Sequence, residues 1–113
     1  MAAQSTALTE YADFGNSRTY VTSGSTVSKP KQVVQSRKVP TGNSKISEVV
    51  MRVSHATTDA DGLVIPERVA MTATCRFPIN GQTTDRDNVL VIFRDIVAGD
   101  EFGASVASGN WLV

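Results

Sequence analysis

The stretch LVIPERVAMTATCRFPINGQTTDRDNVLVIFRDIVAG, residues 63–99, changes its apolar period halfway along, and that change sets the fold class. From Leu63 to Phe77 the period is two. Leu63, Ile65, Val69, Met71, Ala73, Cys75 and Phe77 fall on one side, and Val64, Arg68, Ala70, Thr72, Thr74 and Arg76 on the other. Successive side chains of a strand point to opposite faces, so this predicts a long strand with one apolar and one wet face. Glu67 breaks the apolar side next to Pro66, which has no amide hydrogen, and a bulge or strand break is expected there. From Thr84 to Gly99 the period becomes helical, with Val89, Leu90, Phe93, Ile96 and Val97 on one stripe. Thr84 is expected to cap this helix, with Asp87 in the capping-box position, Asp85 near the positive end of the dipole, and Gly99 closing it. Val91 and Ile92 widen the stripe beyond what one packing surface needs, a sign of contacts on more than one side, as at a dimer interface.

The segment before this stretch repeats the strand pattern. In Lys45 to Thr57, Val49, Met51 and Val53 share one face, against Glu48, Val50, Arg52 and Ser54. Thr58-Asp59-Ala60-Asp61-Gly62 supplies turn chemistry, so the two long strands should pair antiparallel, with the helix covering their apolar faces. Lys31 to Val39 reads as a further strand, ended by Pro40 and the loop Thr41-Gly42-Asn43-Ser44. Thr6 to Tyr11 and Arg18 to Ser23 flank Phe14-Gly15-Asn16 and make a candidate hairpin. At the other end, Asp100 is expected to cap a short helix through Glu101, Phe102, Ala104, Val106 and Ala107, closed by Gly109. The predicted fold class is α+β. One domain, 1–113, comprises an N-terminal hairpin (1–23), an antiparallel sheet (26–79) and a helical dimerisation region (84–113).

Composition narrows the function classes. At 113 residues, 41% apolar and 19% charged, the chain has room for one modest core. Eleven basic residues balance eleven acidic ones, so any nucleic-acid contact must rest on local placement of charge. One cysteine excludes an internal disulfide framework, and one His with one Cys gives no metal cluster. Cys75 is expected to be a small buried hydrophobe, His55 a satisfied surface residue, and Trp111 a packing anchor for the tail. There is no Gly-rich phosphate loop and no nucleophile–base set with a third partner. The pair Asp85 and Asp87 is explained by the helix start. Catalytic residues, metal, cofactor and small-molecule substrate are therefore all expected to be absent. No apolar run approaches a membrane span, and the opening MAAQSTALTEYAD has no signal-peptide pattern, so the chain is expected to be intracellular when made, with no membrane partner.

Taken together, Pro66 to Thr74, Thr84-Asp85-Arg86-Asp87, Phe93-Arg94-Asp95-Ile96-Val97 and Trp111, in this order and length, resemble the coat proteins of single-stranded RNA bacteriophages of the levivirus type. The resemblance implies two copies interlocking their helices over a continuous sheet, with Val89, Leu90, Phe93, Ile96, Val97, Phe102 and Trp111 at the dimer interface. It further implies assembly into an icosahedral T=3 shell around genomic RNA in the virion, synthesis in the cytoplasm of a bacterial host, and recognition of an RNA hairpin that represses translation. The sheet face turned to RNA would carry Arg52, Val50, Ser54, Arg68, Thr72, Thr74 and Arg76, with Arg37 and Lys38 adding charge from the third strand. Arginine supplies phosphate contacts, and Ser and Thr supply hydrogen bonds to base or sugar. Ala70 departs from the family pattern where some relatives offer an aromatic ring for a base to stack on, and the Asp59 to Gly62 loop is short for the one that surrounds symmetry axes.

Plainer readings stand beside these. The arginines fit an ordinary solvated sheet face, and the helix stripe fits simple core. Two further functions are consistent with the same residues: a dimeric RNA-binding regulator that builds no shell, and a non-viral filament or compartment subunit. Particle formation separates the first from a coat protein, and the packaged cargo separates the second.

Overall fold

The computed structural model describes residues 3–40 and 45–113. Five strands, β1 (Thr9–Asp13), β2 (Ser17–Val21), β3 (Lys31–Lys38), β4 (Ile46–Thr58) and β5 (Val64–Pro78), are followed by α1 (Thr83–Ala98) and α2 (Asp100–Ser108). The strands form one antiparallel sheet in the order β1-β2-β3-β4-β5, each paired with its neighbour in sequence. The chain divides into two compact units, the sheet up to Ile79 and the helices from Asn80 to Val113. The expected loop Thr41 to Ser44 lies outside the described residues.

Local chemistry explains the turns. Between β1 and β2, the Gly15 amide donates to Asp13 Oδ1 at 2.9 Å and the Phe14 amide to the Ser17 carbonyl at 2.8 Å. Between β4 and β5, Asp59 Oδ1 accepts from the amides of Asp61 (2.9 Å) and Leu63 (3.0 Å), while Gly62 holds φ at +81°. A side chain is strained in that left-handed conformation. Gly62→Ala should therefore cost about 1 kcal/mol, read as a lower thermal midpoint.

The irregularity expected near Pro66 is present. Ala56 pairs with Arg68 but Thr58 pairs with Val64, so Ile65, Pro66 and Glu67 share one shifted step of the ladder. A second shift lies in β1, where Glu10 pairs with Tyr20 and Ala12 with Thr19, leaving Tyr11 as the extra residue. Nothing in the sequence pattern anticipates it.

The helix ends depart from expectation. The N-cap of α1 is Gln82, with no side-chain cap bond, and Thr84 is the second helical residue. This places Asp85, not Asp87, at the third helical position, so the Thr84–Asp87 capping box does not form. Asp87 instead accepts from Arg86 Nε and Nη2 at 3.1 and 3.0 Å. Gly99 bounds both helices in an extended conformation, φ −79° and ψ 155°, and Asp100 is the first residue of α2, not its cap. Gly109 closes α2 in the left-handed region, φ 71°, its amide donating to the Ser105 carbonyl at 2.7 Å.

Very little of the single chain is buried. Val33, at the centre of the sheet and opposite Val53 in the register, is the buried hydrophobic residue among those described, at 7% exposure. Ser54 is the buried polar one, at 6%. Neither helix has a buried residue. Phe93 is 50% exposed, and Leu90, Ile96, Val97, Met51, Val69 and Met71 are exposed as well. Met51, Val69 and Met71, on the sheet face expected to be covered, are thus exposed among the described residues. Cys75 and Trp111, expected to be packed, are exposed.

Candidate functional site

Residues directly opposite in an antiparallel pair share a face, so the register sorts the sheet into two surfaces. Val50 pairs with Ser36 and Thr74, Arg52 with Val34 and Thr72, and Ser54 with Gln32 and Ala70, all on one face. Arg68 and Arg76 join it opposite Ala56 and Glu48, and Lys38 joins it opposite Glu48 from the other side. The structure thus brings Arg52, Val50, Ser54, Arg68, Thr72, Thr74, Arg76 and Lys38 onto one polar face. Arg37 is the exception. It pairs with Val49 and lies on the opposite, apolar face with Met51, Val53, Val69, Met71 and Cys75. Adjacent residues of a strand point to opposite sides, so Arg37 and Lys38 cannot both serve one surface.

The cations of the polar face differ in their surroundings. Arg76 Nε lies 3.1 Å from Glu48 Oε2, with the two side chains 62% and 31% exposed. Glu48 is the acidic residue of this face among the described paired positions, and it stands between Lys38 and Arg76 in one cross-strand row. Alternation alone places Glu48 on this side of its strand; the register is what sets its carboxylate beside Arg76. Arg52 has Val50 and Ser54 along its strand and Val34 and Thr72 across from it, so no carboxylate adjoins it on the face. Arg68 Nη1 reaches over β4 to donate to Gln32 Oε1 at 3.4 Å.

The apolar face carries its own charges toward β1. Arg18 Nε is 3.4 Å from Asp13 Oδ2. The Arg18 guanidinium is held more firmly in its charged form by its hydrogen bond to the Tyr20 hydroxyl, and then by the carboxylates of Asp13 and Glu10. A shallow cavity of about 120 Å³ here is lined by Gly15, Asn16, Arg18, Tyr20, Gln35 and Arg37.

Charge is divided unevenly along the chain. Residues 1–79 hold nine of the basic and six of the acidic residues, whereas residues 80–113 hold two and five. The sheet unit is therefore net positive and the helical unit net negative. Among the described residues no three His, Cys, Asp or Glu side chains converge, and no helix is long and apolar enough to cross a membrane.

No family model and no curated protein matches the sequence. Solved structures do match the fold. The chain is similar to one in a virus-like particle of Wenzhou levi-like virus 4, at TM-score 0.83 and 14% identity, covering 99% of this chain and 82% of that one. It is also similar to one in a virus-like particle of Beihai levi-like virus 21, at TM-score 0.79 and 9% identity over 94% and 86% of the two chains. A virus-like particle of bacteriophage AC gives TM-score 0.71 and 14% identity over 92% and 96%. At these identities the likeness is one of backbone: the five-stranded antiparallel sheet followed by two helices is the fold of the chains in these levi-like virus and phage particles.

Proposed function

We propose that the chain is a capsid subunit, not an enzyme: two copies pair, and the pairs assemble into a T=3-type icosahedral shell around single-stranded RNA. The observation that carries this reading is the fold likeness to virus-like-particle chains over nearly the whole length. The near absence of a core in one chain supports the self-association, because a soluble monomer rarely exposes so continuous an apolar surface. A second copy covering α1 and the apolar sheet face supplies what one chain lacks, and Val89, Leu90, Phe93, Ile96, Val97, Phe102 and Trp111 are the residues it would meet. The polar face then faces the RNA, with Arg52 as the principal phosphate contact. Two-fold symmetry doubles its small positive charge. Such a face also suits binding of an RNA hairpin that represses translation. The proposed location is the virion, after synthesis in a bacterial cytoplasm.

Expression of the chain alone, followed by size exclusion and electron microscopy, tests this. Icosahedral particles with RNA absorbance are expected. A clean dimer that binds RNA but never forms particles would replace this reading with a regulatory RNA-binding protein, which the clustered cations of the polar face would also serve.

The Glu48–Arg76 pair makes a finer prediction. A carboxylate within about 4 Å of a phosphate repels it by about 1 kcal/mol in water. Glu48→Gln should therefore tighten RNA binding by about fivefold, while thermal stability barely moves because the ion pair is largely exposed. Filter binding at two salt concentrations checks it.

A further inference from the structure

We propose that Tyr11 is a stacking platform for an unpaired base of single-stranded RNA, in a recess at the β1 side of the polar face. The inference rests on the RNA-binding reading above and adds to it a base site outside the residues assigned there.

Three observations converge on the recess. The first is its lining: Tyr11, Val21, Pro30, Gln32 and Arg68 surround a space of about 400 Å³, together with the β2–β3 loop. That volume falls within the roughly 300–1,000 Å³ typical of small-ligand sites. Val21 pairs with Gln32, and Gln32 with Ser54, so the recess opens on the same face as Arg52.

The second is the bulge. Because Glu10 pairs with Tyr20 and Ala12 with Thr19, Tyr11 is the unpaired extra residue of β1. A bulge re-aims a side chain that strict pairing would fix, and the ring joins the wall of a polar-face recess while remaining 71% exposed. Tyr20 and Phe77, the other aromatic residues of the paired strands, lie on the apolar face, opposite Val33 and Ser47. Tyr11 is thus the aromatic ring that the paired strands offer to a ligand on the polar face, among the described residues.

The third is the polar chemistry beside the ring. Gln32 Oε1 accepts from Arg68 at 3.4 Å, which leaves the amide's NH₂ group to donate to a base carbonyl or ring nitrogen. Arg68 keeps further N–H groups for a phosphate. A flat apolar platform, an amide and a cation together match one nucleotide: base on the ring, base edge at the amide, phosphate at the guanidinium.

The test uses the full chain and a fluorescein-labelled oligoadenylate, with affinity measured across a salt series. Loss of one base stack is worth about 1–3 kcal/mol, so Tyr11→Ala should weaken binding by about fivefold to a hundredfold with the salt slope unchanged. Tyr11→Phe should bind like the parent, and Tyr11→Leu, which keeps apolar bulk without a π face, should bind like Tyr11→Ala. Arg68→Ala should instead flatten the slope, by about 0.7 for each phosphate it ceases to neutralise. If Tyr11→Ala or Tyr11→Leu binds like the parent while Arg52→Ala weakens binding, the stacking site is wrong and the RNA face stands. If Tyr11→Phe loses as much as Tyr11→Ala, the hydroxyl acts and stacking is refuted. If neither the Tyr11 variants nor Arg52→Ala changes affinity, the RNA-face reading itself falls.

Discussion

Phe93→Asp should abolish soluble dimers and particles altogether. Phe93 sits mid-way along α1, half exposed in the single chain and flanked on its stripe by Leu90, Ile96 and Val97. If a second copy covers that stripe, an aspartate there is a carboxylate taken out of water with no cation to receive it, at a cost of about 3–5 kcal/mol. Symmetry imposes the cost twice. Stability of a domain this small is of order 5–15 kcal/mol, so the paired state does not survive. Phe93→Leu, which keeps the apolar contact, should still assemble. The check is sedimentation or size exclusion of both variants beside the parent. Dimers of Phe93→Asp indistinguishable from the parent's would remove α1 from the interface.

The second large effect belongs to Arg52. Its position on the polar face has no neighbouring carboxylate, whereas Arg76 shares its charge with Glu48. An RNA phosphate therefore gains most at Arg52. A hydrogen bond to a charged partner is worth about 1.5–3 kcal/mol, so Arg52→Ala should weaken RNA binding by about tenfold to a hundredfold. The salt dependence should fall by about 0.7 for each phosphate left without its cation. Arg76→Ala should do less. Because Arg52 is exposed, the variant should fold and pair normally, and particles formed from it should carry less RNA absorbance per protein. Equal loss at both positions would mean that the Glu48 pair opens when RNA arrives.

What the sequence revealed and what it hid have physical reasons. The two long strands and the main helix were legible because their apolar residues keep periods of 2 and 3.6 over many residues. The boundaries of β4 and β5 followed, since Asp59 and Gly62 have turn chemistry that does not depend on the rest of the fold. The start of α1 was ambiguous because Gln82, Thr83 and Thr84 are all polar and adjacent, and no side chain there takes the capping bond that would have distinguished them. The face of Arg37 was hidden because Val33 and Val34 are consecutive, which erases alternation in β3. Only pairing with Val49 resolves it. The contact of Glu48 with Arg76 and the bulge at Tyr11 are properties of register between strands, which no single segment encodes. The proposed base site was missed for that reason, since a lone Tyr in a short strand gives no signal of where a bulge will turn it.

The division of charge between the two units bears on how such a protein would be classified. A neutral sum and a pI near 6.5 would file it with proteins indifferent to polyanions. That sum averages over two units of opposite net charge. In the proposed capsid, basic strands would hold the RNA and acidic helices would offset their charge, so that the whole stays electrically quiet. A screen for nucleic-acid binders by total charge would pass over it; one that scored each structural unit separately would not.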